Sequence, residues 1–228
     1  METENPILLS NLLSERDLRS EFLNRRGIIA VTVGSFAPVH QGHVDMLRAG
    51  VDALLDRGFD VRCIVIAPNR DRYVQTKFNA EELPINLDID ARIEMAYEFL
   101  PARLPNGVRI VIDDISGRDT TSPRAFTQLV TGTLEDQGLK TRNISIILGS
   151  DNVQSLESHV ERHNTVCVTR VGFNDKLYSI LHRRWVSKAL AEGRLIITDR
   201  SANASMISST EVRAAMRDTM DISKGVLA

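Results

Sequence analysis

The chain has 228 residues, 43% hydrophobic and 25% charged, with a net charge of −2 at pH 7. That length buries a full core in one domain of moderate size, and the composition excludes a disordered or fibrous chain. The balanced charge lacks the basic excess of a duplex nucleic-acid binder, so any anionic ligand must be met by a local site.

The start, METENPILLSNLL, has no basic n-region and only a short apolar stretch, which predicts no signal peptide. Residues 7–26 then place Ile7, Leu8, Leu12, Leu18, Phe22 and Leu23 at mostly helical spacing and stop at Gly27. An amphipathic helix packed on the body is expected there, with an apolar face that also suits a homo-oligomer. Short β-branched runs follow: IIAVTV (28–33), VRCIVIA (61–67), VRIVID (108–113), ISIILG (144–149), TVCVTR (165–170) and RLIIT (194–198). Most are continuous rather than alternating, the pattern of strands covered on both faces, and the segments 42–57, 88–100, 122–137, 175–191 and 208–218 between them suit helices. The expectation is an α/β protein: a Rossmann-like, doubly wound parallel sheet of about five to six strands with helices on both faces. Residues 28–228 read as one domain behind an N-terminal helical segment, 1–27.

Two long loops, 68–88 and 114–123, follow strands on the edge where such sheets bind ligands. Cys63 and Cys167 lie far apart inside apolar runs, with no CxxC or zinc-type cluster, and read as buried thiols of a reducing cytosol. No run approaches the roughly eighteen apolar residues of a membrane span. A cytoplasmic protein with neither membrane nor nucleic-acid partners is expected.

The usual nucleotide fingerprints, GxGxxG and GxxxxGK[ST], are absent. After the first strand comes G34-S-F-A-P-V-H40-Q-G-H43, with Gly34 free to turn, Pro38 stiffening the loop and Gly42 allowing close backbone approach. His40 and His43, three apart, share a face of the first helical turn beside unpaired backbone N–H groups and the positive end of the helix dipole. Such a place attracts phosphate. A metal pair needs a third and fourth ligand, and His159, His163 and His182 are not in obvious strand-end loops, so no protein metal site is expected. Near the other end, M206-I-S-S-T-E-V-R213 contains an S-x-x-E capping box in Ser208 and Glu211. It reads either as a plain helix start or as hydroxyls and amides presented to an anion, with Arg213 adding a charge one turn in. Trp185 reads as core or interface.

GSFAPVHQGH is similar to the GSFxPxHxGH signature of the HxGH nucleotidyltransferases, and ISSTEVR resembles the ISSTxxR signature of the nicotinamide and nicotinic acid mononucleotide adenylyltransferases. The resemblance covers about residues 28–218, and L148-G-S-D151 looks like that family's GxD, whose aspartate binds the ATP ribose. Two places depart from it. Ala37 stands where the family commonly has Asp or Asn, and T121-S-P-R-A-F-T-Q128 only loosely echoes its SYT-like segment.

The resemblance implies adenylyl transfer from ATP to nicotinamide or nicotinic acid mononucleotide, giving NAD or its deamido form plus pyrophosphate, with no protein nucleophile. His40, His43 and Arg213 are the implied catalytic residues. ATP contacts are implied for Gly34, Ser35, Phe36 and Gly42, for Gly149 and Asp151, and for Ile207, Ser208, Ser209 and Thr210. Asp151 reads equally well as the N-cap of a short helix from Asn152. Lys77, Arg92 and Arg170 are candidates for holding the mononucleotide. The implied cofactor is Mg²⁺, carried mainly by ATP phosphates, and the implied partners are ATP and a pyridine mononucleotide. Two like charges about 4 Å apart repel by about 4 kcal/mol at an effective dielectric near 20, so countercharge and positioning are the main demands of such chemistry. Transfer to another phosphorylated acceptor, and ATP binding without catalysis, remain alternatives.

Overall fold

The apolar runs become strands because each has to bury both faces at once. The computed structural model describes residues 6–14, 27–80, 87–104, 107–118, 126–170, 174–199 and 210–215. Among these the strands are β1 Ile7–Leu8, β2 Ile28–Gly34, β3 Val61–Pro68, β4 Arg109–Ile112, β5 Ile144–Gly149, β6 Asn164–Val168 and β7 Leu195–Thr198. They pair in parallel throughout, in the order β1-β4-β3-β2-β5-β6-β7. From β2 the chain winds out to β4, then returns to β5 on the other side of β2 and winds out to β7. The reversal leaves a crevice beyond the C-terminal ends of β2 and β5, where doubly wound sheets bind ligands.

The helices are α1 Leu9–Ser14, α2 Gln41–Asp56, α3 Asp71–Ala80, α4 Ile89–Phe99, α5 Phe126–Asp136, α6 Leu156–Val160, α7 Asn174–Leu181 and α8 Arg184–Ala191, with residues 210–215 forming α9. Side chains alternate across the sheet. Ala30, Ile64, Ile66 and Ile147 pack under α2 and α4, whereas Val31, Val65, Val111 and Ile146 pack under α1, α5, α6, α7 and α8. Each fully buried Ile, Leu or Val stabilises the fold by about 1.5–3 kcal/mol relative to exposure. Helix α2 lies especially close to β5, because a Cβ on Gly50 would stand 2.6 Å from Ile147 Cγ2.

Three expectations need correction. The described sheet has seven strands rather than five or six, and the extra one, β1, falls inside the helix expected over 7–26. Ile7 and Leu8 pair with Val111 and Ile112 at the sheet edge, and α1 begins only at Leu9; residues 15–26 lie outside the described part. Two residues carry no period of their own, so tertiary pairing decides their state. The loop 68–88 contains α3, whose apolar stripe is only Val74 and Phe78, packed on Ala37 and Leu87. The helix expected over 175–191 is two helices. Ile180 and Val186, both buried, are six residues apart and would point to different sides of a continuous helix, so the chain breaks at His182 and Arg183 to bring both inward.

Both cysteines are buried and unpaired. Burial pushes the Cys63 thiol well above its ordinary value and Cys167 up to about 12, which leaves neither a usable thiolate. Trp185 packs against the apolar core. Among the described residues no helix is long and apolar enough to cross a membrane.

Candidate active site

The loop after β2 is held from several directions. Gly34 accepts a 2.7 Å hydrogen bond from the Asn69 amide at the exit of β3, and a Cβ at Gly34 would press on the Phe36 ring at 3.1 Å. Phe36 sits in the left-handed region at φ 46°, which costs a non-glycine residue about 1–2 kcal/mol. Its ring is 1% exposed within the layer under α2 and α4, and that burial holds the backbone there. A cis Ala37-Pro38 peptide follows. His40 then turns extended, at φ −153° and ψ 171°, and starts α2.

The two histidines form a reciprocal cap. His40 Nδ1 accepts from the Gly42 amide at 3.0 Å, and His43 Nδ1 accepts from the His40 amide at 3.2 Å. This has the connectivity of a capping box with imidazoles in place of hydroxyl and carboxylate. A nitrogen that accepts carries no proton, so each neutral ring bears its N–H on Nε2. The rings lie 3.9 Å apart, tilted by 40°, and His43 leans on Phe36 at 4.8 Å. Capping therefore fixes two donor-bearing rings at the positive end of a 16-residue helix. Among the described residues no group of three His, Cys, Asp or Glu could hold a metal.

A cleft of about 490 Å³ opens at this point, a size suited to a small-molecule ligand. Its floor is the ends of β2 and β5, including Gly34 and Gly149, and Ser35, Phe36, His40, Gly42 and His43 line one wall. Asp151, Arg170, Thr210 and Arg213 also line it. A Cβ on Gly149 would collide with the Asp151 carboxylate, so the glycine lets Asp151 fold back toward the strand end. Asp151 is not a cap: Gly149 occupies that position and no side chain bonds there. Arg170 Nη1 stands 3.6 Å from Asp151 Oδ2, while the Arg170 amide donates to Ser150 Oγ at 2.9 Å and Asn174 Oδ1 at 3.0 Å.

Arg213 is 5% exposed yet reaches the cleft. Its Nη1 donates to the Ala37 carbonyl at 2.8 Å and its Nη2 to Thr210 Oγ1 at 3.1 Å. The two sequence motifs thus meet in space. Ile207, Ser208 and Ser209 lie outside the described residues. Lys77 falls on α3, and its side chain is outside the described part as well. Arg92 is 0% exposed, does not line the cleft, and donates to backbone carbonyls and to Asp71.

The family model described as cytidylyltransferase-like matches residues 31–215. The chain belongs to the cytidylyltransferase-like family. No curated protein matches it. Both motifs and the cleft floor lie within the matched span, and membership of this family implies a nucleotidyltransferase. The polar groups of the cleft suit that chemistry: imidazole N–H donors, a helix N-terminus and a guanidinium converge where a polyphosphate gathers charge.

Several lining residues escaped sequence reasoning: Thr32, Met46, Asn69, Tyr73 and Asn152. Thr32 had a signal, being the one polar letter in IIAVTV. Tyr73 had none, because it stands on a helix whose sequence reads as a polar loop.

Proposed function

We propose that this protein transfers the adenylyl group of ATP to nicotinamide or nicotinic acid mononucleotide, releasing pyrophosphate and forming NAD or its deamido form in the cytoplasm. The observation that carries the reading is the reciprocal histidine cap at the switch point of the sheet, with Arg213 of the ISSTEVR segment on the same cleft. The likeness of both segments to the adenylyltransferase signatures supports the choice of nucleotide and acceptor.

In this reaction an oxygen of the acceptor 5′-phosphate attacks the α-phosphorus of ATP. The bond from that phosphorus to the oxygen bridging to the β-phosphate breaks, and pyrophosphate departs with that electron pair. No covalent enzyme intermediate is needed, so catalysis is positioning plus charge stabilisation. The Nε2–H groups of His40 and His43 donate to phosphate oxygens, and the start of α2 adds its dipole. Arg213 and Thr210 hold the departing pyrophosphate. Asp151 accepts from the ribose hydroxyls of ATP, and Arg170 stands beside it at 3.6 Å. Among the described residues lining the cleft Asp151 is the one carboxylate, so the donor set fits a Mg²⁺ ion carried by phosphates and water rather than caged by protein. Bound in that way, the ion neutralises charge on the triphosphate.

The test is pyrophosphate release with ATP, Mg²⁺ and each mononucleotide in turn, comparing kcat/KM for the amide and the acid. Turnover with either supports the reading, and release with neither overturns it. The cytidylyltransferase-like match is equally compatible with nucleotidyl transfer to a different phosphorylated acceptor, which CTP and non-pyridine phosphate esters in the same assay detect.

A further inference from the structure

Arg92 heads the fully buried side chains by size, on the first turn of α4. Its guanidinium touches three separate segments. Nε donates to the carbonyls of Leu87 at 3.1 Å and Asp88 at 3.2 Å, where the chain enters α4. Nη1 donates to the carbonyl of Ser35 at 2.9 Å, in the loop between β2 and α2. Nη2 donates to Asp71 Oδ1 at 2.6 Å, on the first residue of α3. Burial pulls the guanidinium below its ordinary value, and Asp71 acts against that.

A charged group taken wholly out of water is costly unless every donor is matched, and a Leu or Met of similar volume fills such a space more cheaply. What an aliphatic side chain lacks is the rigid fork, which sets the mutual positions of all the groups it binds. The segments held here flank the cleft. Ser35 stands between Gly34 and Phe36, and Asp71 precedes Tyr73 by two residues, all of them near or in the cleft wall. Tyr73 faces the cleft from the β3 side, whereas Asp151 and Arg170 face it from the β5 and β6 side. The lone carboxylate bound by Arg92 is on α3, so a shift of α3 relative to the loop at the head of α2 breaks this network.

We propose that Arg92 is a positioning residue: it fixes α3 against the loop 34–40, and so sets how the acceptor phosphate lies relative to the α-phosphate of ATP. The role deepens the adenylyl-transfer reading and rests on it. Arg92 contacts no substrate in this account; it acts through Ser35 and Asp71. Displacing reacting groups by about 1 Å costs about 100-fold in rate.

The experiment compares Arg92→Lys, Asp71→Asn and the double variant. Arg92→Lys keeps charge and length without the fork, and kcat falls about 100-fold while KM for ATP stays within about threefold. Asp71→Asn lowers kcat about tenfold, and the double variant is no worse than Arg92→Lys, because both cut one link. Backbone amide exchange quickens in 34–43 and in 71–80 for each variant. A raised KM for the mononucleotide at constant kcat overturns the proposal in favour of direct contact. A kcat that is normal per folded molecule overturns it in favour of stability alone. Should Arg92→Lys not fold, Asp71→Asn carries the test, since that carboxylate is half exposed. Should the wild-type protein release no pyrophosphate, the adenylyl-transfer reading falls by itself. Arg92 is then judged on amide exchange in ATP-bound protein, where unchanged rates in 34–43 overturn its positioning role.

Discussion

Arg213 donates to the main-chain carbonyl of Ala37 at 2.8 Å across 176 residues of sequence. The second motif therefore closes on the first through backbone, and the side chain at position 37 is left to another task. The Ala37 methyl is 1% exposed and packs with Val74, Phe78 and Leu87, so it seats α3 on the loop. An acidic residue, common at this place in the family the motif resembles, would bring a carboxylate into that apolar cluster. Ala37→Asp is expected to cost about 3 kcal/mol in urea denaturation. A variant as stable as the parent would show that the carboxylate finds Arg213 instead.

His40 combines two duties that substitution can separate. His40→Ala removes both the cap acceptor and the imidazole, and loses about 1 kcal/mol of stability together with most turnover. His40→Asn keeps a good N-cap acceptor and removes the Nε2 donor together with the ring contact to His43. Its melting temperature should stay near the parent's while kcat falls at least about 100-fold, the scale of losing one donor to developing charge. Near-normal turnover in the Asn variant would remove the imidazole from the chemistry.

Thr32 is 1% exposed and lines the cleft, yet its Oγ1 has no hydrogen-bond partner among the described residues. An unmatched buried hydroxyl is a cost to folding that a ligand can relieve. Thr32→Val, nearly the same shape, is expected to leave stability unchanged or raise it by about 1 kcal/mol, and to weaken ATP binding about fivefold by calorimetry. Equal ATP affinity in both proteins would show that the hydroxyl never meets the nucleotide.

What could be read in the sequence depended on whether the determining contacts were local. The central strands were legible because a strand covered on both faces must be continuously apolar, as IIAVTV and ISIILG are. The loop from Gly34 to His43 was legible because glycine, proline and histidine constrain their own neighbourhood. β1 was not, since two residues acquire their state only by pairing with Val111 and Ile112. Nor was α3, whose Val74 and Phe78 need Ala37 to pack against. Arg92 is the sharpest case: a charged letter on a helix reads as solvated or ligand-binding, and only the fold brings Ser35, Leu87 and Asp71 around it. The capping box at Ser208 lies outside the described residues.

Acid stability should be governed by the opposite edge of the sheet, where α6 and the turn after it carry His159 and His163. Burial, and then the charge of His163, hold His159 down at about 4, against an ordinary value of 6.5. Burial also lowers His163, reinforced by Arg162 and opposed by the Thr141 carbonyl and Glu135. In the unfolded chain these rings take up protons near their ordinary value, so from pH 6.5 down to about 4 the unfolded state binds more protons than the folded one. The stability present above pH 6.5 is thus lost as pH falls through that window, by up to about 1.4 kcal/mol per pH unit for His159, and His163 acts in the same direction. Urea denaturation at pH 7.5 and at pH 5 measures the loss, and His159→Gln should flatten it by one histidine's share. The parent slope surviving in that variant would move the acid sensitivity to other groups. At pH 7.5 turnover per folded molecule of His159→Gln should equal the parent's, because the pair sits at the starts of β5 and β6, away from the cleft at their ends.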